Sequence, residues 1–233
     1  MKNNKTFIAS AVVLTILTGI TLLWGQTGIS DHAGENVLYN ITPIGRSEYN
    51  DLGLVDLKGA KVNLLTFRTK VLFFEDTEKI YTDPDNLLPI KVERYISKFL
   101  GKEYITEEYD QKKFTVTLRK FKKDKIIYER ISKADGPIHN VIALLFYMRK
   151  TEDIKIGWQF AVRMPDDKFK IELVSIDDIT IPAGKFQAYH FKSIPDKAEI
   201  WINKNSPQTL LKIQGKGIFG YVISMKKYSS NNN

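Results

Sequence analysis

The stretch ITIPAGKFQAYHF (residues 179–191) is followed by AEIWINKNSPQTLLKIQGKG (198–217) and then by FGYVISM (219–225). Apolar and polar residues alternate through these segments, and Pro, Gly and Asn stand at the breaks. Alternation with period two is typical of strands that bury one face, and turn residues between such runs indicate hairpins. The stretch therefore predicts consecutive antiparallel strands.

The rest of the chain continues this pattern on both sides of one apolar segment. Between residues 37 and 121, short strand-like runs are separated by turn signals such as DPDN at 83–86. The exception is PIHNVIALLFYMRK (137–150), whose Pro favours a first helical turn after a cap at Asp135 or Gly136. A helix that is apolar around most of its circumference must be nearly enclosed. We therefore predict a mainly β fold, in which a strongly curved antiparallel sheet of about twelve strands, a half-barrel or barrel, wraps one apolar helix.

The first 30 residues have the pattern of an export segment. Lys2 and Lys5 precede the uncharged run FIASAVVLTILTGITLLW, which is the order found in signal peptides. At about 18 residues the run also suits an uncleaved membrane anchor, and a buried core helix is the third alternative. Residues 1–30 are thus expected to form a hydrophobic signal or anchor helix in contact with the membrane. A single β-rich envelope domain (35–228) and a disordered tail (229–233) would follow, in the periplasm or at the outer face of the cytoplasmic membrane.

The amino-acid composition excludes several kinds of functional site. Cysteine is absent from the 233 residues, which excludes disulfides, thiolate metal sites, a Cys nucleophile and a lipoprotein anchor. The net charge of +8 is scattered among acidic residues rather than gathered in a stripe, so no nucleic-acid partner is expected. His32, His139 and His190 lack metal-ligand spacing, and no G-x-S-x-G motif occurs. We predict a protein that is not an enzyme and that has no catalytic residue, metal or cofactor.

Three landmarks follow one another along the chain: FFEDTEKIYTDPDNLLPIKVER (73–94), ALLFYMRK (143–150) and the IPAG-to-IWIN region (181–203). In their order and spacing the chain resembles the bacterial cell-envelope family called domain of unknown function 3108. The lead into the helix, DGPIHN, departs from that family's Asp-x-x-Ser. The resemblance implies a fold and an envelope location, and it brings no catalytic residue. By fold analogy the architecture also resembles LolA and LolB, lipoprotein carriers whose open β-barrels hold acyl chains.

Apolar and aromatic side chains of the second half are the candidates for a ligand site. We predict that six residues line an apolar cavity beneath the helix: Leu144, Tyr147, Met148, Trp158, Tyr189 and Trp201. Such a cavity would bind a hydrophobic or lipid-like ligand, for example lipid or lipoprotein acyl chains, without catalysis. An ordinary β-core is the alternative for these residues. Two other functions stay open: docking of another envelope protein along an exposed strand edge, and hydrolysis of an envelope polymer by acid pairs such as 166–167.

Overall fold

The computed structural model describes residues 32–149, 151, 154–216 and 220–230. These residues form one helix and fourteen strands, of which eight precede the helix: β1 (Glu35–Thr42), β2 (Arg46–Leu57), β3 (Ala60–Val71), β4 (Phe74–Thr82), β5 (Pro89–Lys98), β6 (Gly101–Asp110), β7 (Thr115–Lys122) and β8 (Lys125–Lys133). The helix is α1 (Val141–Arg149), and six strands follow it: β9 (Gln159–Arg163), β10 (Lys168–Ile181), β11 (Gly184–Ile194), β12 (Ala198–Asn203), β13 (Leu210–Gly215) and β14 (Val222–Ser230). The predicted signal or anchor segment, residues 1–30, lies outside the described residues. No helix within the described ranges has the length and apolar character needed to span a bilayer.

The strands form a single antiparallel sheet in the order β8-β7-β6-β5-β4-β3-β2-β1-β14-β13-β12-β11-β10-β9. Each of the two runs, β1–β8 and β9–β14, is a meander of successive neighbours. The runs are joined by β1 and β14, which pair from Glu35 opposite Ser230 to Thr42 opposite Val222. The mainly β, antiparallel architecture predicted from the alternating sequence is confirmed. The first two residues of the predicted tail belong to β14 and pair with β1.

The predicted half-barrel or barrel is not formed, because the sheet is open and ends at β8 and β9. The physical reason lies in the segment before α1. The backbone N–H of His139 donates to the Arg163 carbonyl at 2.7 Å, and the Arg163 N–H donates to His139 Nδ1 at 3.1 Å. These bonds satisfy the backbone of β9 at Arg163 without a further strand. Open sheets of about 8 to 15 strands also occur in large α/β enzymes.

The helix is shorter than the sequence predicts, because the residues from Pro137 to Asn140 are not helical. Asn140 is the N-cap: its Oδ1 accepts hydrogen bonds from the second and third helical N–H groups, at 2.9 and 3.2 Å. Ile138 is held outside the helix because its N–H and its carbonyl both bind the Gln111 side chain, at 3.0 and 2.9 Å. The helix therefore begins after the cap at Asn140 rather than at Pro137.

The apolar core lies between α1 and the sheet face on which it packs. Leu173 and Phe191, opposite each other in β10 and β11, are 0% and 1% exposed. The helix contributes four buried side chains to the same cluster: Ile142, Ala143, Leu144 and Met148. At its last residue, Arg149 Nη1 lies 2.7 Å from Glu35 Oε2, and both side chains are buried. This ion pair fastens the end of α1 to the start of β1.

Candidate functional site

The six predicted cavity residues do not form one group. Leu144 and Met148 lie in the core and are 3% and 4% exposed. Four of the surface pockets formed by the described residues have volumes of about 380 to 720 Å³, and none of these four is lined by any of the six residues. The apolar cavity beneath α1 stays a prediction.

Three of the six residues join an aromatic cluster between α1 and the sheet. Tyr147 and Trp158 are linked through Phe160, with ring centroids 5.0 and 5.9 Å apart. Trp158 also lies 6.3 Å from Phe191, which is 6.5 Å from Tyr189. Offset and edge-on contacts of this kind stabilise a packed core beyond the area that they bury. The aromatic residues that the sequence singled out are therefore brought together here as packing partners.

Trp201 points away from this cluster. In the register of β11 and β12, Trp201 is opposite His190, whereas Ile202 is opposite Tyr189. Since successive strand residues point to opposite faces, Trp201 lies on the other face of the sheet from Tyr189. Its ring stacks on His190 with the centroids 4.4 Å apart, and the Lys212 ammonium lies 4.3 Å from its centroid.

His190 is held in a polar network rather than in an open cleft. Its Nε2 lies 2.8 Å from Glu199 Oε2, and its Nδ1 lies 3.0 Å from Asp177 Oδ2 and 3.2 Å from Ser175 Oγ. A serine, a histidine and carboxylates are also the parts of a hydrolytic triad. Here the histidine is 8% exposed and covered by a stacked indole, and none of the four pockets is lined by these residues. The geometry is that of a buried network that fixes the register of β10–β12.

A charged cluster lies on the inner face of β4–β6, the face that carries the core. Arg94 binds Asp76, and its Nε lies 3.6 Å from Glu78 Oε1. Burial raises the pKa of Glu78 to about 7, because the nearby Arg94 offsets only part of the desolvation and the Asp76 and Glu107 charges raise it further. Charged groups of this kind are unfavourable walls for an acyl chain. Among the described residues, no group of three His, Cys, Asp or Glu side chains is arranged to hold a metal ion.

β8 is the exposed edge of the sheet. Within the described part of the chain it pairs only with β7, and eight of its nine residues are exposed. The β7–β8 register shifts by one residue at Ile127, which is 62% exposed. Ile126 and Ile131, 53% and 65% exposed, therefore share one face, and Tyr128, 45% exposed, lies on the other face opposite Lys120. A long edge strand that is apolar on both faces is a template for pairing with another chain.

The two edges of the sheet differ in length and in cover. β9 has five residues, and the segment containing His139 binds its outer side. β8 has nine residues, and its contacts beyond β7 lie towards its end, where Arg130 binds Asp166 and Ser132 Oγ lies 3.3 Å from the same carboxylate. The first five residues of β8 therefore present a backbone edge that these contacts leave open.

Sequence reasoning named a strand edge as an alternative docking site but did not assign it to β8. The reason is that KIIYERISK carries apolar residues at both parities, so it lacks the alternation that marks a half-buried strand. The available signal was the adjacent Ile126, Ile127 and Tyr128 directly after a lysine-rich turn. Such a run cannot be covered on both faces unless another element packs there.

The fold defines the class of the protein: it is mainly β, with one open sheet whose edge strand β9 is covered and whose edge strand β8 is exposed. The profile of the family described as "Protein of unknown function (DUF3108)" matches residues 42–226, and the chain belongs to this family. The resemblance seen in the sequence landmarks is thereby confirmed. A comparison with curated proteins finds no match.

The solved structures that are similar to the chain include two bacterial proteins. The β-barrel-like protein of domain of unknown function DUF1849 from Brucella abortus has a TM-score of 0.54 at 9% identity, over 86% of this chain and 99% of that chain. A candidate exported protein with a YmcC-like fold from Bacteroides fragilis has a TM-score of 0.36 at 8% identity, over 85% of this chain and 96% of that chain. At such low identity, the likeness to the Brucella protein shows the fold alone.

Proposed function

We propose that this chain is an exported, non-catalytic envelope module that binds an extended segment of another envelope protein along β8. The observation that carries the proposal is the open edge of β8, with apolar side chains exposed on both faces. In strand addition, main-chain hydrogen bonds supply affinity and alternate side chains supply specificity. Export is supported by the order of Lys2, Lys5 and the apolar run that follows them.

The charges of β8 define the chemistry of the partner. Lys125 and Lys133 stand at its two ends, and neither has an ion pair to an acid within the described residues, while the central Glu129 is held by Arg119 at 2.6 Å. The middle of the strand therefore offers apolar surface and its ends offer positive charge. A complementary segment is extended, has apolar residues at alternate positions in its middle, and has acidic residues at both ends.

The hydrophobic-ligand function predicted from the sequence has less support than docking along β8. Leu144 and Met148 of α1 are already packed in the core, so an acyl chain would have to displace them. The inner face of β4–β6 carries Glu78 and Arg94, which an acyl chain would desolvate. Neither obstacle applies to a strand that adds to β8 from outside.

Photocrosslinking in the protein's own host tests the proposal. A photoreactive amino acid replaces Ile127, Glu129 or Ile131 in turn, and the crosslinked positions of the partner are mapped by mass spectrometry. Strand addition predicts one partner segment, whose crosslinked positions move in a constant direction along that segment from Ile127 to Glu129 to Ile131. Ile176 of β10, which is 40% exposed, is the control position.

Each outcome bears on the proposal. An ordered ladder of crosslinks on one foreign envelope protein supports it. Crosslinks from Ile127 to β8 of a second copy would replace the foreign partner with self-association. A pattern without order, or one equal to that from Ile176, would exclude strand addition.

A further inference from the structure

The hairpin turns at one end of the sheet are apolar and exposed. Because successive strands run antiparallel, the turns β1–β2, β3–β4 and β5–β6 lie at the same end. Five large apolar residues of these turns form what we call the apolar rim: Ile44, Leu72, Phe73, Phe99 and Leu100. Their exposed fractions are 58%, 65%, 75%, 79% and 92%. A contiguous patch of this kind marks a contact with a protein or a membrane.

Two neighbouring hairpins contact each other at the rim. The rings of Phe73 and Phe99, from neighbouring hairpins, pack edge to face with centroids 5.8 Å apart. Behind them, on the side of the sheet away from the core, Tyr104 stacks with Tyr95 at 4.7 Å and with Phe121 at 5.2 Å. Tyrosine is favoured at membrane interfaces because its ring is apolar and its hydroxyl stays hydrated.

The turns at the opposite end of the sheet are polar, so exposed apolar residues are confined to the rim in this comparison. The turns there comprise residues 58–59, 83–88 and 111–114, and their exposed residues are Lys, Gly, Asp and Asn. At the rim, the exposed Leu72 has a φ of 49°, a conformation that glycine or asparagine adopts at lower cost. A bulky apolar residue is thus exposed at a position where the backbone disfavours it.

Positive charge surrounds the rim. Residues 43–46, 70–75, 98–103 and 122–125 contain seven Lys or Arg and three Asp or Glu. Apolar side chains ringed by Lys and Arg suit the surface of an anionic bilayer, where the rings enter the interface and the ammonium groups bind the headgroups. We propose that the apolar rim binds the surface of a bilayer that contains anionic phospholipid. This site is separate from the predicted anchor, since the chain enters β1 at Glu35, at the end of the sheet away from the rim.

The test must report on the rim itself, because residues 7–24 would bring the full chain to any vesicle. The chain has no cysteine, so Leu100→Cys provides a unique attachment point for an environment-sensitive nitrobenzoxadiazole label. The matched control is Leu54→Cys, an exposed position of β2 near the opposite end. The labelled full chain is mixed with vesicles of equimolar phosphatidylglycerol and phosphatidylcholine, and separately with vesicles of phosphatidylcholine alone.

The expected result is a blue-shifted, brighter label at position 100 with the anionic vesicles, and no change at position 54. On the Leu100→Cys background, Phe73→Ser with Phe99→Ser should weaken this response by at least about tenfold, because two aromatic rings no longer leave water. Lys102→Gln and Lys123→Gln should each weaken it about fivefold. Unchanged urea midpoints would show that these exposed substitutions leave the fold intact.

The other results overturn the proposal. A silent label at position 100 on vesicles that bind the full chain would exclude the rim as a membrane contact. Equal responses at positions 54 and 100 would assign the contact to another part of the chain. Equal responses with the two kinds of vesicle would remove the role of anionic lipid. None of these results depends on β8, so the strand-addition proposal would stand or fall separately.

Discussion

Both halves of the sheet bury apolar side chains, but β1–β8 and its turns leave more large apolar side chains exposed than β9–β14 does. In β9–β14, Leu173 and Phe191 are 0% and 1% exposed, and α1 packs against their face. In β1–β8, by contrast, Leu100 is 92% exposed at a turn and Ile131 is 65% exposed on the edge strand. The inner face of β4–β6 carries the charges of Glu78 and Arg94 instead.

This contrast distinguishes the side chains that stabilise the fold from those that are available for contact with another surface. Burial of apolar area supplies most of the free energy of folding, so the half with α1 has the larger share of it. The exposed apolar residues of the other half contribute little to folding while they face water, and they gain free energy only when another surface covers them. Three substitutions test this division, beginning with the one expected to have the largest effect.

Detaching α1 should damage the fold most. Arg149→Met removes the partner of Glu35, whose side chain is 0% exposed, and leaves a buried charge uncompensated. We expect a loss of about 3 to 5 kcal/mol in the free energy of unfolding. Urea denaturation measures it, with Arg119→Met as control, because the ion pairs of that more exposed guanidinium should contribute far less to stability. Equal losses for the two variants would contradict a special role for the buried pair.

Truncating an apolar side chain should cost more stability in the half that packs on α1 than on the exposed edge strand. Leu173→Ala empties part of the core, and we expect a loss of about 2 to 5 kcal/mol. Ile127→Ala, at a position that is 62% exposed, should change stability by no more than about 0.5 kcal/mol. Thermal and urea unfolding of both variants give the comparison. A large loss from Ile127→Ala would mean that β8 is already covered in the isolated protein.

Glu78 should give the charged inner face a dependence on pH. Its pKa is raised from 4.5 to about 7 in the folded protein, so the folded state keeps a proton that the unfolded state releases. The stabilisation is therefore complete below about pH 4.5 and is lost as the pH rises through 7, by up to about 3 kcal/mol.

The Glu78→Gln variant, which cannot titrate at this position, should show a flatter stability profile. Urea midpoints between pH 5 and 8 test this, with Glu103→Gln as the exposed control. A Glu78→Gln profile as steep as that of the natural chain would assign the pH dependence to other groups.

Much of the fold could be predicted from the sequence, because a half-buried strand alternates apolar and polar residues with a period of two. The strands β12 and β13 both lie within the alternating stretch 198–217, which predicts them. The start of α1 could not be predicted, since Pro137 allows a helix while Gln111 and Arg163, distant in sequence, hold the next residues outside it. The edge of the open sheet at β9 also depends on a contact between residues distant in sequence, the hydrogen bonds between His139 and Arg163.

The candidate site on β8 was harder to predict from the sequence than the fold. Successive residues of a strand point to opposite faces, so Trp201 faces away from Ile200 and Ile202, and the register with His190 agrees. The exposure of Ile126 and Ile127 could not be read from the sequence, because an apolar run looks the same whether it is buried or uncovered. Only the strand order shows that no described element packs there.

The pairing of β1 with β14 has a consequence for how the chain folds. Glu35 lies opposite Ser230, so the ladder that joins the two meanders closes a loop containing nearly the whole domain. Contacts between such distant residues cost loop-closure entropy before they gain free energy, and they form late. Until the last strand is available, β1 and β13 are both unpaired edges in the middle of the future sheet. A chain that crosses a membrane unfolded would thus complete its sheet only after its final strand has passed through.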